Sequence, residues 1–70
     1  MDTKENKQNI QYINGDKYYG EIRNGVKEGK GIYYYVSGNR YDGYWKNDVK
    51  DGRGTFYFKN GDQYEGAYKN

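Results

Sequence analysis

Apolar and polar residues alternate along most of this chain with a period of two, the spacing of strands that present one face to a core. The alternation stops at Asn14-Gly15, Ser37-Gly38 and Asn60-Gly61, which are short-hairpin signals because glycine, and asparagine less readily, accepts positive φ. Longer polar turns are expected at Asn24–Gly29 and Asn47–Gly52. The segments between them are rich in Tyr, Phe, Ile and Val, so six strands are predicted, near 9–13, 17–23, 30–36, 40–46, 53–59 and 63–69. Neighbours joined by such turns pair antiparallel, which gives an all-β meander.

The alternation is also a repeat. Gly15, Gly38 and Gly61 are 23 residues apart, and the same step links Tyr18, Tyr41 and Tyr64, and Gly20, Gly43 and Gly66. Val26-Lys27 recurs as Val49-Lys50, Gly29 as Gly52 and Gly31 as Gly54. Units 15–37 and 38–60 share nine identities. Half units flank them at 10–14 and 61–70, so the repeat domain is assigned to 10–70. Residues 1–9 are polar and charge-balanced and are expected to form a flexible tail. Met1 is read as a natural start.

Strand geometry sorts the repeat into two faces. One carries only aliphatic and aromatic residues and glycine, among them Tyr12, Tyr18, Gly20, Tyr33, Tyr35, Tyr41, Gly43, Trp45, Phe56, Phe58, Tyr64, Gly66 and Tyr68. The other mixes charges with Tyr19, Tyr34, Tyr44 and Tyr57. A two-residue Ser-Gly loop would pair Tyr41 with Tyr34, whereas a three-residue loop with a glycine bulge pairs it with Tyr33. Only the second keeps the aromatic positions together, since a slip of one residue turns them out. Gly20, Gly43 and Gly66, mid-strand, are expected to make room beneath a ring of the neighbouring strand, Tyr33 over Gly20 and Phe56 over Gly43. Permission for curvature is the alternative reading.

Composition narrows the class. Eleven tyrosines in 70 residues argue against disorder, and the absence of cysteine rules out a disulfide staple. The sequence offers no signal peptide and no apolar run long enough to span a membrane, so a cytoplasmic location is expected, peripheral to a membrane if lipid is bound. Twelve basic and ten acidic residues are interleaved rather than gathered into a basic stripe, so no nucleic-acid partner is expected.

The segment Tyr41-Asp-Gly-Tyr-Trp-Lys-Asn-Asp-Val-Lys-Asp-Gly-Arg-Gly-Thr-Phe-Tyr-Phe-Lys-Asn-Gly61 closely resembles a MORN (membrane occupation and recognition nexus) repeat, and the resemblance extends over 10–70. Asp48 departs from the family pattern by replacing a glycine that Gly25 retains, and Ile22 stands where an aromatic is usual. The resemblance implies a curved antiparallel sheet of stacked hairpins that serves interaction and assembly, with phospholipid binding associated with the family.

The residues point away from catalysis. Without Cys or His, and with only Ser37, Thr3 and Thr55 as aliphatic hydroxyls, no nucleophile–base triad can be assembled. Asp42 and Glu65 recur on one face but read as solvated charge. Asn47, Asp48 and Asp51 lack the alternating ligands and distal Glu of a calcium loop, so neither a metal nor a cofactor is expected. Gly29-Lys30-Gly31 and Gly52-Arg53-Gly54 precede no helix that could bind phosphate.

Binding is the remaining expectation. Tyr19, Tyr34, Tyr44, Tyr57, Trp45 and Tyr68 are the candidate contacts for a protein partner. Lys27, Lys30, Lys50 and Arg53, placed on the longer turns along one sheet edge, are the candidates for acidic phospholipid headgroups, although Glu28 and Asp51 stand among them. Tyr18, Tyr41 and Tyr64 are assigned structural roles with Gly20, Gly43 and Gly66. Ten rings on one face of a single sheet cannot cover one another, and this sequence contains no helical segment to lie across them. A homo-oligomer, most simply a dimer, is therefore expected, formed over the aromatic face or through open sheet edges.

Overall fold

Two kinds of turn alternate along the chain, and together they fold it into one six-stranded sheet. The computed structural model describes residues 7–68. The strands are β1 (Lys7–Gln11), β2 (Lys17–Arg23), β3 (Val26–Tyr34), β4 (Arg40–Lys46), β5 (Val49–Tyr57) and β6 (Gln63–Tyr68), and each pairs antiparallel with the next. The sheet does not close: β1 and β6 are its two edges. The expected all-β meander is the observed one. Of the tail assigned to 1–9, residues 1–6 lie outside the described residues, while Lys7–Asn9 pair within β1.

The first kind of turn follows Tyr12, Tyr35 and Phe58. At the middle one, Gly38 donates its N–H to the Tyr35 carbonyl at 2.9 Å, and Tyr35 donates its own to the Asn39 carbonyl at 2.9 Å. This is the three-residue loop with a glycine bulge, and Gly38 has φ of 106°, open to glycine at no steric cost. Tyr41 accordingly lies opposite Tyr33, the register predicted above, and the aromatic positions share one face.

The second kind is tighter than expected. The turns read as Asn24–Gly29 and Asn47–Gly52 contain only two residues, and β3 and β5 resume at Val26 and Val49. Asn24 and Gly25 have φ of 54° and 81°, and Asn47 and Asp48 have 51° and 74°. Two successive positive φ values match the right-handed twist of the flanking strands. Gly29 and Gly52 are not turn ends. They sit inside β3 and β5 at φ of 89° and 86°, in bulges that set three residues opposite one: 28–30 face Glu21, and 51–53 face Tyr44.

These bulges explain how the core is assembled. Gly20 pairs with Gly31 and Gly43 with Gly54, so two adjacent strands both lack a Cβ on the aromatic face. The ring that fills each furrow comes from the same strand, not from the neighbour. A Cβ on Gly31 would collide with the Tyr18 ring, and one on Gly54 with the Tyr41 ring. Tyr33 over Gly20 and Phe56 over Gly43 are thus corrected to Tyr18 and Tyr41. The tyrosine leans along its own strand because its hydroxyl finds an acceptor there. Tyr18 donates to the Glu21 carbonyl at 2.9 Å, and Tyr41 to the Tyr44 carbonyl at 3.2 Å. Both carbonyls belong to the residue opposite the bulge, which has no register partner in the bulged strand.

Tyr18, Tyr41 and Trp45 are the buried hydrophobic residues among those described. Trp45 stands edge-on between the two tyrosines, with ring centroids 5.7 Å and 5.2 Å away, and donates its indole N–H to the Gly31 carbonyl at 3.1 Å. One unit later Tyr68 stands edge-on to Tyr41 at 5.1 Å. Edge-to-face rings of this kind add to the area they bury.

Candidate functional site

The aromatic face is a continuous row of rings with one side open. From the covered centre it runs through Tyr33 and Tyr35, 4.8 Å apart, to Phe56 at 5.6 Å and then Phe58 at a further 4.8 Å. Cover falls away along the row: Trp45 is 6% exposed, Phe58 43% and Tyr64, on edge strand β6, 54%. No second layer of secondary structure among the described residues lies across these rings.

Two lysines extend over the same face, because the tight turns put Val26-Lys27 and Val49-Lys50 inside strands. The Lys27 ammonium is 5.1 Å from the centre of the Trp45 ring and 5.4 Å from that of Tyr33. Lys50 is 5.2 Å from the Tyr41 ring and donates a hydrogen bond to the Tyr35 hydroxyl at 2.9 Å. Such cation–ring contacts strengthen as water is excluded. Lys30 instead lies over Tyr44 on the opposite face, at 5.6 Å, and Arg53 pairs with Ala67 there. The four cations expected along one edge are therefore divided between two faces, since the shorter turns move each off the rim.

The other predicted contacts divide similarly. Tyr19, Tyr34 and Tyr44 are exposed on the mixed face. Tyr57 is half-buried there, with the Arg40 guanidinium 3.9 Å from its ring centre. Trp45 and Tyr68 belong to the aromatic face, the first in its buried centre and the second half-buried beside Tyr41.

Sequence reasoning passed over the polar residues that join one unit to the next. Asp16, which is buried, accepts hydrogen bonds from the Tyr33 hydroxyl at 2.7 Å and the Val36 N–H at 2.8 Å. Asn39, one unit later, accepts from the Lys59 N–H at 2.8 Å. At the opposite rim Asp48 accepts from the Lys27 N–H at 2.8 Å and forms an ion pair with its ammonium at 3.3 Å. The recurrence of Asp or Asn at 16, 39 and 62, just past each turn glycine, was the available signal.

These surroundings set the protonation states. The Tyr33 hydroxyl, then the Val36 amide, hold the Asp16 carboxyl below the usual aspartate range. The Lys27 amide first, with its ammonium, does the same for Asp48. Burial, with the nearby Glu21 charge second, pushes the Tyr18 phenol up to about 12. Burial also raises Tyr33, Tyr41 and Tyr68. At neutral pH these phenols hold their protons, and those of Tyr18, Tyr33 and Tyr41 donate hydrogen bonds. No group of three acidic residues among those described could hold a metal ion.

The family description of the MORN repeat matches residues 18–40 and 41–63, more than half of the chain. Compared with curated proteins, the chain has no significant match. MORN repeats are non-catalytic modules that serve interaction and binding.

Proposed function

The chain belongs to the MORN repeat family, and from that premise we propose that it is a non-catalytic interaction module that binds a protein partner through its aromatic face and self-associates over the same face. The observation that carries this reading is the uncovered ring row ending at Phe58 and Tyr64. Exposed apolar surface of this continuity marks association sites in soluble proteins. A second copy is the simplest cover in the absence of a partner, and the partner displaces it.

Phospholipid headgroups would be met best by a cluster of cations on one surface. Lys27 and Lys50 lie over rings on one face while Lys30 lies on the other, which favours protein over lipid. Sedimentation velocity at micromolar concentration tests self-association, with a dimer or larger species expected. A folded monomer would overturn it. Cosedimentation with phosphatidylserine vesicles, abolished by charge reversal at Lys27, Lys50 and Arg53, would replace the protein reading with the lipid one.

A further inference from the structure

Lys27 and Lys50 occupy equivalent positions, 23 residues apart, and both hold their ammonium groups over aromatic rings. Their charges are treated differently. Lys27 is neutralised by Asp48, and its side chain is only 12% exposed. Lys50 is half-buried, with the rings of Tyr41, Tyr35 and Trp45 at 5.2, 5.6 and 5.6 Å and the Tyr35 hydroxyl as its hydrogen-bond acceptor. It forms no ion pair with a described residue. Quadrupoles and one phenol oxygen attract an ammonium, but they leave two of its three N–H donors for water or a ligand.

The ring row starts at this charge. Tyr35, which holds the ammonium, leads through Phe56 to the exposed Phe58. A segment lying along it would meet a cation and an apolar track side by side. We propose that Lys50 is the carboxylate subsite of the aromatic face, and that the partner docks a peptide segment in which an Asp or Glu is flanked by aromatic side chains. This rests on the binding face proposed above and names the partner's chemistry. The Lys27–Asp48 pair shows the same arrangement completed within the chain: an ammonium over the rings with a carboxylate on its open side.

The test titrates acetyl-Phe-Glu-Phe-amide and acetyl-Phe-Gln-Phe-amide into ¹⁵N-labelled protein and follows the Trp45 indole and the Phe58 amide. The Glu peptide is expected to bind about fivefold more tightly, the order of one partly screened ion pair. Lys50→Gln removes the preference and Lys50→Arg keeps it, while Lys30→Gln, on the opposite face, leaves it in place. Retained Trp45 indole dispersion shows that each variant is folded. Equal binding of the two peptides, binding of neither, or a preference that survives Lys50→Gln overturns the proposal. So does loss of phosphatidylserine vesicle binding in Lys50→Gln without peptide discrimination, which would assign the cation to lipid. If the peptides fail while sedimentation still shows assembly, the Lys50 subsite alone falls. If assembly is also absent, the binding face falls with it.

Discussion

The ring of Tyr18 occupies the space that a Cβ on Gly31 would need, and its hydroxyl donates to the Glu21 carbonyl left opposite the bulge in β3. Tyr41 repeats the arrangement over Gly54, with Tyr44 as acceptor. Three oddities of the sequence are thereby one device. The paired glycines make the furrow, the bulge frees a carbonyl, and the tyrosine satisfies both. A single sheet of this length has little other means of burying a large ring.

Gly54→Ala is therefore expected to be strongly destabilising. Its Cβ would stand 2.5 Å from Cε1 and Cζ of Tyr41, too close for any real contact. Overpacking typically costs about 1–3 kcal/mol, or a fall in Tm on the order of 10 °C in a domain this small. Gly25→Asn is the control: no atom lies within 4 Å of its Cβ position, and φ of 81° suits asparagine. Thermal melts should separate the two variants clearly. A wild-type melt for Gly54→Ala would refute the furrow.

Tyr18→Phe and Tyr41→Phe keep each ring and remove its hydroxyl. Each is expected to lose about 1 kcal/mol in chemical denaturation, since a half-buried carbonyl forfeits its donor. Unchanged denaturation midpoints would mean that the hydroxyls merely accompany the packing.

Alkaline titration probes the same rings. The folded Tyr18 phenol titrates at about 12, above its ordinary value of 10.0, so the folded state holds its proton more tightly than the unfolded one. Its stabilising contribution is complete below 10.0 and is lost as pH rises through about 12. Tyr33, Tyr41 and Tyr68 shift in the same direction. Absorbance at the phenolate band should show Tyr18, Tyr33, Tyr41 and Tyr68 keeping their protons above 10.0, and losing them as near-ultraviolet circular dichroism collapses. Complete loss of the phenol protons near 10.0, with the fold intact, would contradict the burial described.

Acid acts through the stitching carboxylates. Asp16 and Asp48 titrate below their ordinary value of 3.8, so their contributions are present above it and disappear as pH falls through the lower folded values. Asp16→Asn, which imitates Asn39 one unit on, should flatten the acid limb of the stability–pH curve measured by urea denaturation. An unchanged acid limb would show that Asp16 does not join the two units.

The repeat, six strands, the bulged three-residue loops and the pairing of Tyr33 with Tyr41 were all legible, because period-two alternation and turn glycines carry them. The Asn24-Gly25 and Asn47-Asp48 turns were read too long. Gly29 and Gly52 looked like turn residues, and the same positive φ serves a bulge within a strand. That single error placed Lys27 and Lys50 on the rim instead of over the rings. The ring above each glycine was assigned to the wrong strand because alternation fixes a face and says nothing of the direction in which a side chain leans. Asp16 and Asn39 escaped notice because their partners lie 20 residues away in the next turn, a separation that local turn chemistry does not reveal.

A binding face on the ring row is protected from solvent when the protein assembles. Hydroxyl-radical footprinting of the assembled protein, compared with dilute protein, reads both faces at once. Protection is predicted at Phe56, Phe58 and Tyr64, with Tyr19, Tyr34 and Tyr44 labelled equally in both states. Protection confined to Tyr19, Tyr34 and Tyr44, with Phe58 still reactive, would contradict it.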